Sequence, residues 1–113
     1  MTETPVAIYR FSIYTLMMLK HFKNKVARDI FDGVLSASTR KIPFILHDKI
    51  RRLFDQLNAA TTIETLRVPP GNRLEKLKGD LKDYWSIRVN KQWRIIFVWK
   101  ESEAYHVDVI DYH

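Results

Sequence analysis

Trp85-Ser86-Ile87-Arg88-Val89-Asn90-Lys91-Gln92-Trp93-Arg94-Ile95-Ile96-Phe97 decides the fold of this 113-residue chain. Trp85, Ile87 and Val89 alternate with Ser86 and Arg88, the period of a strand with one buried face. Asn90-Lys91 carries turn chemistry, and Gln92 to Trp99 is apolar on both faces, as a central strand is. The register that keeps apolar side chains together is the expected one. A three-residue loop at 90–92 sets Val89 opposite Trp93, Ile87 opposite Ile95 and Trp85 opposite Phe97, a wholly apolar face. The same register sets Arg88 directly opposite Arg94 on the other face. Like charges so opposed cost roughly several tenths of a kcal/mol unless an anion lies between them. A shorter loop buries Arg88 against Trp93 instead, which is the less favourable arrangement.

Downstream, Lys100 to Glu103 makes a second turn, and Tyr105, Val107 and Val109 alternate with His106 and Asp108. Pairing Phe97 with Val107 puts Arg94 opposite Ile110 and brings Asp111-Tyr112-His113 off the sheet beside Arg94. A further strand comes either from Leu74 to Leu77 or from the N-terminus. Val68-Pro69-Pro70-Gly71-Asn72 is a rigid turn.

Upstream, two helices are expected. Asn24 caps the first, with Val26, Ala27, Ile30, Phe31 and Val34 on one face and Gly33 at its end. Pro43 opens the second, with Leu46, Ile50, Leu53, Phe54 and Leu57 in a buried stripe. Its Lys49, Arg51, Arg52 and Asp55 face reads as solvated. The fold class is therefore α+β, two N-terminal helices packed on an antiparallel sheet. Trp85, Trp93 and Trp99 belong to its core, and His21, His47 and His106 read as surface or packing residues without the spacing of metal ligands.

Hydrophobic residues make up 46% and charged residues 28%, the composition of one globular domain rather than a disordered chain. The absence of cysteine excludes disulfide scaffolds, thiolate zinc sites and thiol catalysis, and fits a cytoplasmic protein. Val6 to Leu19 is apolar, but Arg10 interrupts it and no small-x-small cleavage site follows, which argues against export. It is also too short to span a bilayer. Residues 1–17 read as an N-terminal extension, a packed strand or a disordered segment, on a domain at 18–113.

The net charge of +6 favours a polyanionic partner. Residues 67–94 hold eight basic side chains and three acidic ones, whereas 95–113 hold one basic and four acidic. A basic sheet face thus borders an acid-and-imidazole terminus. Cleaving a phosphodiester with its own 2′-hydroxyl needs a base for that hydroxyl and an acid for the leaving 5′-oxygen. It also needs cations at the non-bridging oxygens. Arg88, Arg94 and Lys78 can supply the cations, His113 the acid or base, and Tyr112 a stacking surface or a share in proton transfer.

These residues carry a resemblance. Pro69-Pro70-Gly71-Asn72-Arg73-Leu74-Glu75-Lys76-Leu77-Lys78-Gly79-Asp80 is similar to the central motif of HigB-type toxins of the RelE superfamily. The likeness continues through Tyr84 to Phe97 and to the terminal Asp111-Tyr112-His113, and Leu57-Asn58-Ala59-Ala60-Thr61 looks like the family's helix end. It covers roughly residues 18–113. The resemblance implies a RelE-like microbial RNase-type fold and ribosome-dependent cutting of messenger RNA within codons, in the A site on the ribosome's small subunit. The cut uses 2′-hydroxyl attack, with no metal or other cofactor. It also implies a HigA-type helix-turn-helix antitoxin, which neutralises the toxin and connects it to operator DNA; no membrane is involved.

Carried over by position, the resemblance makes Asp111, Tyr112, His113 and Arg94 catalytic, with Lys78, Lys76, Arg73 and Arg88 along the RNA. Glu75 departs from the pattern, since some members have a His there; its loss leaves His113 as the sole imidazole expected at the site. Glu75 serves as a base if desolvated or paired, or else ion-pairs with Arg73 or Lys76. Two other readings stay open: a catalytically weak module that only binds antitoxin and acts as co-repressor, and a basic RNA-binding protein that does not cleave.

Overall fold

Asn24 opens the first helix with its side chain. In the computed structural model, which describes residues 21–112, its Oδ1 accepts from the Ala27 amide at 3.2 Å. Helix α1 runs Lys25–Asp32 and ends at Gly33, whose φ of 78° is a left-handed conformation that glycine adopts without strain. Helix α2 runs His47–Ala59, and Ile50, Leu53, Phe54 and Leu57 are its buried stripe. Pro43 does stand at the entry, but the chain first makes a tight 3₁₀ turn at Phe44–Leu46. The 1–17 extension expected from sequence, and His113, lie outside the described residues.

Four antiparallel strands follow in the order β1 (Glu75–Lys76), β2 (Trp85–Arg88), β3 (Trp93–Lys100) and β4 (Glu103–Asp111). The sheet thus gains its fourth strand from the 74–77 segment, and Phe22 adds a single parallel bridge to Val107. Trp85 pairs with Phe97, Ile87 with Ile95 and Arg88 with Arg94, the register expected from the apolar alternation. Both helices contribute to the core that lies on this face. It is built from Ile30, Phe31, Ile50, Phe54, Leu57, Ile87, Val89, Ile95, Phe97 and Val107, with Trp85 and Trp99 partly buried against it. Burial of this apolar surface is the main force holding the two layers together.

Two expectations change. Alternation along β4 breaks between Tyr105 and Val107, because His106 takes a φ of 53° and the register slips by one residue. Tyr105 therefore pairs with Val98, on the face opposite Val107. The polar face of α2 is also more than a solvated surface. Lys49 Nζ donates to the Val89 carbonyl at 2.6 Å, and Arg51 donates to the Ile30 carbonyl at 3.0 Å while pairing with Asp48. These contacts tie α2 to the β2–β3 hairpin and to α1. His47 is buried, its ring nitrogen 2.9 Å from the Ile42 carbonyl oxygen, a packing role as expected. Among the described residues no helix is long and apolar enough to cross a membrane.

Candidate functional site

The sheet face away from the helices carries the chemistry. Period-two geometry places Glu75, Ser86, Arg88, Arg94, Ile110 and then Tyr112 on this face. It is not the open basic surface that alternation alone suggests. Ser86 is fully buried, Ile96 is 2% exposed and Arg94 only 8%.

Arg94 is the centre of the arrangement. Its Nε donates to Ser86 Oγ at 2.9 Å and its Nη2 to the Arg73 carbonyl at 2.7 Å. Glu75 Oε1 lies 4.0 Å from Nη2, and the Tyr112 ring sits over the guanidinium at 5.4 Å. Burial pulls the Arg94 guanidinium below its ordinary value, and neighbouring Arg88 and Arg73 add to that pull. Glu75 and Tyr112 oppose it. Arginine stays charged through such shifts, so the site holds a fixed, partly desolvated cation.

Beside Arg94 the surface dips into an open depression of about 470 Å³, lined by Glu75, Lys76, Leu77, Lys78, Leu81 and Tyr112. Lys78 is exposed at its edge. Lys76 lines it too, but its amine donates to the Lys82 carbonyl at 2.6 Å and lies 5.9 Å from the centre of the Trp85 ring. Pairing with Trp85 turns it to the other face from Glu75. Arg73 is exposed, yet its carbonyl points inward to Arg94.

Of the residues expected at the site, Arg94, Arg88, Tyr112, Lys78 and the Arg73 backbone gather here. Asp111 does not join them. It pairs with Trp93, a core-face position, and accepts from Gln92 Nε2 at 3.0 Å at the hairpin end. His113 lies outside the described residues. Glu75 joins the site through Arg94 rather than by pairing with Arg73 or Lys76, the partners considered from sequence. Ser86, in the sequence only a polar position of the strand, joins the site as well; its place opposite Ile96 and two residues before Arg88 is the signal for it. Among the described residues no three His, Asp or Glu side chains converge as a metal-ligand set.

A basic groove with a carboxylate and a tyrosine over a buried arginine suits a phosphodiester, and known proteins point the same way. The family model described as the RelE-like toxin HigB of type II toxin–antitoxin systems matches residues 20–113. The chain is 40% identical over 87 residues to Toxin HigB-1 of Vibrio cholerae, covering 77% of this chain and 90% of that one. It is 36% identical over 97 residues to Endoribonuclease HigB of Proteus vulgaris, covering 85% of this chain and all of that one. The matched span takes in both helices, the whole sheet and every residue of the Arg94 cluster, and the chain belongs to the HigB family of RelE-like toxins of type II toxin–antitoxin systems.

Proposed function

We propose that this toxin is an endoribonuclease that cuts messenger RNA in the A site of the translating ribosome. The functional unit is residues 18–113, with 1–17 an extension, and the two described helices are the N-terminal pair of a RelE-like microbial RNase-type fold. The observation that carries the reading is the fixed Arg94 in contact with Tyr112 and beside Glu75, two residues that line a depression together with Lys78.

A scissile phosphate placed over this depression meets Arg94 and Lys78 at its non-bridging oxygens, where negative charge grows as the 2′-oxygen attacks phosphorus. The base takes the 2′-hydroxyl proton, the P–O5′ bond breaks, and the acid protonates the departing 5′-oxygen. The products are a 2′,3′-cyclic phosphate and a 5′-hydroxyl, with no metal in the cycle. His113 serves as acid or base, a role that rests on its place in the family's terminal motif. Tyr112 supports a splayed base or shares in the proton transfer. Arg88 and Arg73 meet the flanking backbone, and Asp111 orients the terminal segment from the hairpin end.

The cellular setting follows from the same reading. The protein acts in the cytoplasm and is neutralised by a HigA-type helix-turn-helix antitoxin, through which alone it reaches operator DNA. Primer extension on a reporter message in a translation extract tests the proposal. Cuts inside codons that vanish when translation is blocked are the expected result. Cuts that persist on naked RNA overturn the ribosome requirement, and their complete absence with folded, antitoxin-competent protein overturns the nuclease.

A further inference from the structure

The geometry points to Ser86 and the backbone of Arg73 as a socket that positions the Arg94 guanidinium for cleavage, an inference that rests on the reading of Arg94 as the phosphate-facing cation. Ser86 Oγ and the Arg73 carbonyl accept from Nε and Nη2 respectively. Those two nitrogens form one edge of the guanidinium; Nη1 lies on the other, and Glu75 Oε1 stands 4.0 Å from Nη2. The Tyr112 ring centre lies 5.4 Å from the guanidinium carbon. A side chain with several rotatable bonds is thereby held to one orientation before substrate arrives, which is what a transition-state contact requires.

The socket is built into the fold. Ser86 is fully buried in β2 and is the partner of Ile96 on β3, two pairs along from Arg94 and on the same face. Arg73 adopts φ 45° and ψ 56°, a left-handed conformation that side chains with a Cβ rarely take. The preceding turn fixes it there. Arg73 N donates to the Pro70 carbonyl at 3.0 Å. The buried Asn72 amide donates to the Leu66 carbonyl at 3.0 Å and to Gln56 Oε1 at 3.1 Å. Strain of this kind persists where the surroundings over-determine it, commonly beside a working site.

Because the Arg73 side chain is exposed while its carbonyl faces Arg94, charge and positioning can be separated by substitution. Arg73→Gly and Arg73→Val both remove the guanidinium, but only valine resists the left-handed turn. Single-turnover cleavage of ribosome-bound message is measured for both, and for Ser86→Ala and Ser86→Thr, as rate at saturation and concentration for half-saturation. Ser86→Ala and Arg73→Val are expected to lower the saturated rate by between about tenfold and a hundredfold. Ser86→Thr recovers part of the loss, and Arg73→Gly raises the half-saturating concentration while cleaving well above Arg73→Val at saturation.

A readout free of activity accompanies these. The Arg94 Nε–H resonance of the wild type should exchange slowly with solvent, and should exchange fast in Ser86→Ala. Wild-type saturated rates in Ser86→Ala and Arg73→Val, with cooperative melting retained, overturn the socket. If either variant fails to fold, fast exchange of Nε–H in the wild type overturns it instead. Arg94→Ala separates the two levels. Lost cleavage there beside unimpaired socket variants sinks this inference alone, whereas full cleavage by Arg94→Ala sinks the reading of the site as well.

Discussion

Arg88 and Arg94 face each other directly across β2 and β3. Arg94 is buried and bonded to Ser86 and Arg73, while Arg88 is half-buried on the same face. The two cations repel each other, Glu75 standing 4.0 Å from Arg94 as its counter-charge, and a phosphate between them converts the repulsion into binding. Arg88→Ala is therefore expected to raise the unfolding free energy of the free protein by a few tenths of a kcal/mol, roughly, while weakening RNA association. Denaturant melts with and without an RNA oligonucleotide check both signs. A variant that is less stable and binds RNA normally would show the pair to be an ordinary structural contact.

Glu75 offers a test of proton transfer. It stands 4.0 Å from Arg94 and lines the same depression as Lys78 and Tyr112. Glu75→Gln keeps the shape and removes the carboxylate, and cleavage should fall by about a hundredfold if that carboxylate handles a proton. Glu75→His substitutes an imidazole, whose reference ionisation lies about two pH units above that of a carboxylate. The acidic limb of the cleavage profile should move upward accordingly. Wild-type rates for Glu75→Gln would leave Glu75 only its contact with Arg94.

Lys78 and Lys76 should behave differently despite their spacing of two. Lys78 is exposed at the depression, whereas the Lys76 amine is engaged by the Lys82 carbonyl. Lys78→Ala is expected to reduce cleavage about tenfold or more, a charge lost from the transition state, and Lys76→Ala only a few-fold. Equal losses from both would argue that the groove attracts RNA by net charge alone.

How much of this was legible in the sequence varies with the kind of interaction. The register of β2 and β3 follows from apolar alternation, since slipping Ile87 against Ile95 by one residue exposes the core face. The position of Asp111 follows from the same arithmetic, for a residue opposite Trp93 cannot share the face of Arg94. Its adjacency to Tyr112 in sequence suggested the contrary. The bulge at His106 and the left-handed turn at Arg73 left no such trace, because positive φ is uncommon for any residue but glycine and tertiary contacts impose it here. The burial of Arg94 was invisible for a related reason. Ser86 alternates as a polar residue should, and only the fold shows its hydroxyl facing a guanidinium instead of water.

Asp48 supplies a stability test away from the site. Arg51, hydrogen-bonded and charged beside it, holds the Asp48 carboxyl below its ordinary value of 3.8. A carboxylate with a lowered folded-state pKa stabilises the fold above its unfolded value, and that contribution disappears as pH falls through the folded one. Asp48→Asn should therefore melt slightly below the wild type at neutral pH, the difference being small because Asp48 is exposed. The two melting curves should converge once the pH is taken well below 3.8. A difference that persists there would have a cause other than the charge of Asp48.

The central claim is that the fixed Arg94 and the terminal His113 act together on message held by the ribosome. Primer extension in a translation extract, with wild type, Arg94→Ala and His113→Ala run side by side, tests it most directly. The account predicts cuts inside codons with wild type and their loss in both variants, each still folded and still bound by antitoxin. Cuts of undiminished intensity from either variant would contradict it.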